Sequence, residues 1–306
     1  MKKKNLFLLL VLLGLFIGCS SDSDTSEIPP NSGTGTPAPP PPNVDRSGNL
    51  LATGASANDL LANTNFDRIQ VEIAHQPGFR PTAETISNFQ DFVRLHSFKE
   101  DIEIIFNQFP SPNQETLTLQ QIDSLEQANR TAFNNGRTLA VYIYFANAPS
   151  DEDDEEESTV TLGAVFRNTS MVIFESTIRE LAPPDNSGAP VTLTDVETAT
   201  LNHEFGHLFG LVNLGTEPIN DHEDMDAPNH CNVPGCLMQA RLEFGSPAAR
   251  GLVALTEKGE TLSSACTLDG NALMKILQDR TLARTSDVVP LLDDECILDL
   301  QGNGGR

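Results

Sequence analysis

Between about residue 66 and residue 210, apolar and polar positions alternate between two periods. Arg68 to Ala74 (RIQVEIA) alternates residue by residue, the pattern of a half-buried strand. Thr82 to His96 follows Pro81 and places Ile86, Phe89, Phe92, Val93 and Leu95 at helical spacing. Ile102 to Phe106 predicts a second strand. Thr118 to Phe133 predicts a second helix, with Leu119, Ile122, Leu125, Ala128 and Ala132 on one stripe. Thr138 to Phe145 (TLAVYIYF) predicts a third, buried strand. Leu162 to Arg167 and Met171 to Glu175 read as two short strands turning at Asn168-Thr169-Ser170. Strand–helix–strand–helix–strand at this spacing predicts an α/β sandwich whose first strands are mostly parallel.

Thr194-Asp195-Val196-Glu197 has the form of a capping box. It predicts a helix over Asp195–Phe209, closed by Gly210 in the left-handed conformation. Leu201, Phe205 and Leu208 share the core face, which turns His203, Glu204 and His207 the other way. Histidines four apart differ by about 40° around a helix axis, so two rings can grip one metal ion. Glu204 reaches a water beside that ion without ligating it. A catalytic zinc needs a third protein ligand. The candidates downstream are Asn213, His222 and His230, whereas His75 and His96 read as ordinary surface residues.

The chain's start and charge place this domain. Lys2, Lys3 and Lys4, the apolar run Leu6–Ile17 and Gly18-Cys19 form a signal peptide over residues 1–18, too short to span a bilayer. Leu15-Phe16-Ile17-Gly18-Cys19 resembles a bacterial lipobox. That resemblance implies a lipid on Cys19 and a lipoprotein of the cell envelope's outer membrane, facing the surface or the periplasm. Residues 19–48, rich in Ser, Asp and Pro, predict a disordered tether. Residues 49–306 are expected to fold as one domain, with an upper part over 49–212 and a lower part over 213–306. A formal net charge of −24 excludes the basic footprint of nucleic-acid binding, and a monomer is expected. The acidic run Asp151–Glu157 predicts a solvated loop, with a Ca²⁺ site as the alternative. Four cysteines remain: Cys231, Cys236, Cys266 and Cys296. Outside the cytoplasm they predict two disulfides, Cys231–Cys236 and Cys266–Cys296 being the simplest pairing, or else a four-thiolate zinc site.

The run from His203 resembles the metzincin clan of zinc endopeptidases, whose motif is H-E-x-x-H-x-x-G-x-x-H/D followed by a methionine turn. His203, Glu204, His207 and Gly210 stand in register; the last position is Asn213. His230 to Met238 (HCNVPGCLM) is similar to the archaemetzincin segment H-C-x4-C-x-M, in which the histidine is the third ligand. The later C-x2-C of that family is missing here, which favours a disulfide for Cys231 and Cys236. The resemblance implies a zincin-type fold: a mixed twisted sheet, an active-site helix and a small C-terminal subdomain. It implies one zinc on His203, His207 and either His230, His222 or Asn213, with Glu204 as general base and Met238 in the turn. It further implies hydrolysis of a protein or peptide laid along the edge strand Leu162–Arg167, with Leu214–Asn229 inserted between helix and third ligand. Ser246–Thr256 and Asn271–Thr281 are expected as helices of the lower subdomain. Asn213 keeps open an inactive zincin-like surface lipoprotein that binds a protein or glycan partner. A zinc hydrolase of non-protein amides is a third reading.

Overall fold

The computed structural model describes residues 44–154, 159–240, 242 and 289–306, and the backbone of 265–269. The chain runs α1 (Ala57–Leu61), β1 (Arg68–His75), α2 (Ala83–His96), β2 (Asp101–Gln108), α3 (Leu119–Asn129), β3 (Thr138–Phe145), β4 (Thr159–Arg167) and β5 (Ser170–Ile173). It continues through α4 (Glu175–Leu181), α5 (Leu193–Leu208), β6 (Glu223–Asp224), β7 (Ala227–Cys231), β8 (Ala265–Asp269) and α6 (Asp294–Gly302). Six strands form one mixed sheet in the order β2-β1-β3-β5-β4-β8. β1 lies parallel to β2 and β3, and β3 parallel to β5. β4 runs antiparallel to both β5 and β8. This is the mixed α/β architecture that the alternating periods predicted.

α2 joins β1 to β2 and α3 joins β2 to β3, whereas β3 reaches its parallel neighbour β5 by way of the antiparallel β4. β3 sits inside the sheet and is buried from Leu139 to Phe145, hence its unbroken apolar sequence. Ile69, Val71 and Ile73 of β1 share a core with Phe89 and Val93 of α2 and with Leu201, Phe205 and Leu208 of α5. Phe89 meets Phe205 edge to face, with ring centroids 4.9 Å apart. The core therefore clamps α5 along the face opposite its histidines.

Three element boundaries and the place of β4 in the sheet differ from the sequence expectation. α3 ends at Asn129 rather than Phe133, because the backbone N–H groups of Thr131 and Ala132 donate to the buried Glu72 carboxylate at 2.8 and 2.6 Å. β5 ends at Ile173, and Glu175 opens α4, a helix the sequence reading did not contain. α5 starts two residues early: Asp195 accepts from the Thr192 N–H at 2.8 Å and from its hydroxyl at 3.0 Å. Thr194 instead donates to Asp185, and Glu197 accepts from Thr82 N–H (3.0 Å) and Thr85 Oγ1 (2.6 Å), which ties α5 to the start of α2. Finally, β4 is no edge strand, since β8 covers its outer side. The expected helices Ser246–Thr256 and Asn271–Thr281, the signal peptide, the lipidation site Cys19 and all but the last residues of the tether lie outside the described residues.

Candidate metal centre

α5 carries the site. It is clamped by core on one side, and the histidine face is also closed: His203, Glu204 and His207 are all buried. Gly210, at φ +79°, ends the helix, and Val212 and Asn213 follow at positive φ. The chain then leaves through the short β6–β7 hairpin. β7 delivers His230 to the two helical histidines.

The rings of His203, His207 and His230 form one cluster, with ligand atoms all within 4.8 Å of one another. His230 stacks on His203 at 5.4 Å between centroids and stands edge-on to His207 at 5.3 Å. The Nε2 atoms of His203 and His207 are 3.1 Å apart. Tetrahedral ligands about 2.0–2.1 Å from a zinc ion stand roughly 3.3 Å from one another, so this spacing suits a shared metal. Nδ1 of His203 donates to the Leu237 carbonyl at 2.7 Å, which fixes the tautomer that leaves Nε2 as an electron-pair donor. Nδ1 of His230 does the same with the Pro228 carbonyl at 3.0 Å. Burial holds the three rings neutral. Burial and the adjacent His230 push His203 down to about 3, His207 lies well below its usual range, and burial lowers His230. Three neutral imidazoles converging in a dry pocket are a donor set for a borderline-soft divalent cation such as zinc.

Two glycines shape the walls. A Cβ on Gly163 of β4 would lie 2.8 Å from Oε1 of Glu204, so only glycine lets the strand pass directly over that carboxyl. A Cβ on Gly206 would overlap Sδ of Met238, which is fully buried beneath the helix between the two histidines. Met238 also accepts, through its carbonyl, from Cys231 N–H at 2.8 Å, which closes the turn that carries Leu237 under His203. The sequence reading did not single out Gly163, Gly206 or Leu237. Gly206 was legible as the small residue inside H-E-x-x-H, whereas the other two act only across the fold.

The other third-ligand candidates are placed elsewhere. Asn213 is exposed and its amide donates to Glu223, so it braces the hairpin and not the metal cluster. His222 lies between Asp299 of α6 (Nε2 to Oδ2, 2.7 Å) and the Cys231 thiol (Nδ1 to Sγ, 3.3 Å). Burial acts to lower its pKa, but these partners together leave it raised. His222 belongs to a second group with Cys231, Asp293 and Cys296, whose ligand atoms also fall within 4.8 Å of one another. Cys236 joins it, with Sγ 3.6 Å from that of Cys296. Cys231, Cys236 and Cys296 are free thiols, so the expected pairings Cys231–Cys236 and Cys266–Cys296 are not formed. The physical reason is local. The tight turn uses Cys231 Sγ to accept from Val233 N–H at 3.4 Å and Cys236 Sγ from Met238 N–H at 3.3 Å, while α6 brings Cys296 beside Cys236. Hydrogen bonds with Cys231 and Cys296 lower Cys236 to about 5, and those with Cys231 and Cys236 raise Cys296. Imidazole and thiolates so disposed could hold a structural metal. The side chain of Cys266 lies outside the described residues.

The acidic run offers no group of three metal-ligating side chains among the described residues. Asp153 instead accepts from Thr161 N–H at 2.7 Å, and its pKa is raised by burial to about 6. Ca²⁺ gains no support there; residues 155–157 lie outside the described part.

No protein-family model and no curated protein matches this sequence. Among solved structures, an archaemetzincin from Methanopyrus kandleri is similar at 14% identity and a TM-score of 0.42, over 78% of this chain and 96% of that one.

Proposed function

We propose that the protein is a zinc-dependent endopeptidase, anchored to the cell envelope through Cys19 and acting on a protein or peptide. The observation that supports this reading is the convergence of three buried neutral imidazoles, His203, His207 and His230, beside a buried glutamate under a strand. Those histidines would hold the ion. Bound there, zinc supplies the Lewis acidity that polarises a carbonyl and acidifies water. Glu204 takes the proton from the attacking water and returns it to the leaving amine. Its burial against Gly163 sets its position, and the Leu237 and Pro228 carbonyls orient the imidazoles. The sequence ground for an inactive binding protein was Asn213 in a ligand position; its bond to Glu223 gives it a different task.

Zinc content and turnover together test the reading. Glu204→Ala is expected to keep its zinc and lose cleavage of a denatured casein mixture by at least about a hundredfold, the scale of a lost general base. His230→Ala is expected to lose both cleavage and one equivalent of metal. His222→Ala keeps the equivalent that supports cleavage. Purified protein with no zinc, or unchanged cleavage by Glu204→Ala, rejects the proposal.

A further inference from the structure

β4 is where a substrate and the chain itself compete. The strand passes so close over Glu204 that Gly163 has no room for a side chain. A peptide that binds beside Glu204 and the three histidines by adding a strand to this sheet therefore pairs with β4. One side of β4 is taken by β5, which leaves a single edge for an extended ligand. Ala265–Asp269 fills that edge as β8. It pairs antiparallel through Thr159↔Asp269, Val160↔Leu268, Thr161↔Thr267, Gly163↔Cys266 and Ala164↔Ala265. The regular register holds up to Thr161 and shifts before Gly163, so the irregularity falls at the level of Glu204.

We propose that residues 265–269 are a self-docked strand that occupies the peptide-binding edge of β4 and holds the enzyme latent until displaced. This rests on the peptidase reading above. Among the described residues β8 is the outermost strand and pairs with β4 alone, so its release leaves the other described strand pairs intact. Five residues at a sheet edge belong to the low-stability end of a fold and can open without global unfolding. Backbone hydrogen bonds along an edge are also how sheets capture extended peptides, with little demand on the occupant's sequence. Because the occupant is tethered, it competes at an effective concentration of order millimolar. Short substrates then meet a raised apparent KM, while long or unfolded chains with several pairing segments displace it more readily.

The test uses the zinc-loaded full chain, Thr267→Pro, and a second variant with residues 265–269 replaced by Gly-Gly-Ser-Gly-Gly. Proline removes one N–H and fixes φ, and the glycine-rich replacement lowers strand propensity along the whole segment, both sparing the sheet behind it. Cleavage of an internally quenched peptide is followed alongside hydrogen exchange of residues 159–164, the latter in Glu204→Ala versions that cannot turn over. Both variants are expected to lose protection on 159–164 and keep it on β1 and β3. Their KM should fall about tenfold or more with kcat unchanged, as removal of a tethered competitor requires. Loss of protection with unchanged or weaker cleavage overturns the proposal. So does a kcat change at constant KM. If the wild type cleaves casein but neither variant gains on the peptide, only the latent strand is wrong. If no form cleaves either substrate, the peptidase reading falls, and this inference with it.

Discussion

At the scale of single residues, the site is made by side chains and by the places that lack them. His203, Glu204 and His207 are set by helical spacing alone, but their usefulness depends on Gly163 and Gly206. A methyl group at Gly163 would meet Glu204 at under 3 Å, so Gly163→Ala should displace the carboxyl or lift β4. Displacements of about 1 Å at a catalytic group cost on the order of a hundredfold in rate. Gly163→Ala is thus expected to retain zinc, by metal analysis, and to lose cleavage by that order. Loss of metal with the activity would show that the strand supports the histidines instead. The Leu237 carbonyl is a backbone group and leaves no trace in residue identity, which is why the sequence did not point to it.

At the scale of elements, α5 is fixed near its N-terminus by buried polar ties. Glu197 caps toward α2, and Glu175 of α4 lies against it within the same buried pocket. Burial, then the adjacent Glu197, raises Glu175 to about 9, which favours its protonated form at neutral pH. Arg179, one turn on, donates through Nε to Oε1 of Glu175. A carboxyl whose folded pKa exceeds its unfolded value near 4.5 contributes stability in full below that value and loses it as pH rises toward 9. The Tm of the wild type relative to Glu175→Gln should therefore fall as pH is raised from about 5 to 9, measured by thermal unfolding of the metal-free proteins. A pH-independent difference would rule out a protonated Glu175. None of this was visible in sequence. α4 is a short helix after a strand, and Glu197 looked like half of a capping box. Thr192 and Asp195 formed the cap instead, since Glu197 found better partners in Thr82 and Thr85.

At the scale of the whole molecule, three distant stretches meet in two neighbouring clusters. α5 supplies two histidines, β7 supplies His230 and Cys231, and α6 supplies Asp293, at its cap, with Cys296 and Asp299. The adjacent His230 and Cys231 share the labour, one turned to the histidine cluster and the other to the thiols, as alternating strand residues do. The proposed lipid anchor belongs to this scale too. Cys19→Ser is expected to move the protein from the membrane pellet to the soluble fraction and to abolish incorporation of labelled palmitate, with casein cleavage by the purified domain unchanged. Continued membrane attachment of Cys19→Ser would reject the anchor.

The sequence by itself determined the alternation of strand and helix, the core face of α5, and the three-residue kernel His203, Glu204 and His207. These follow from periods of two and of 3.6, which are properties of neighbouring residues. It also narrowed the third ligand to three candidates. Only the tertiary structure brings one of them, His230, beside the two helical histidines, because that depends on where the hairpin after Asn213 returns, and its path is set by Glu223, Asp299 and the turn over Met238. The fold likewise decided that the cysteines cluster as thiols and that β4 is covered. Pairing between a strand and a segment about a hundred residues later depends on contacts that no local pattern encodes.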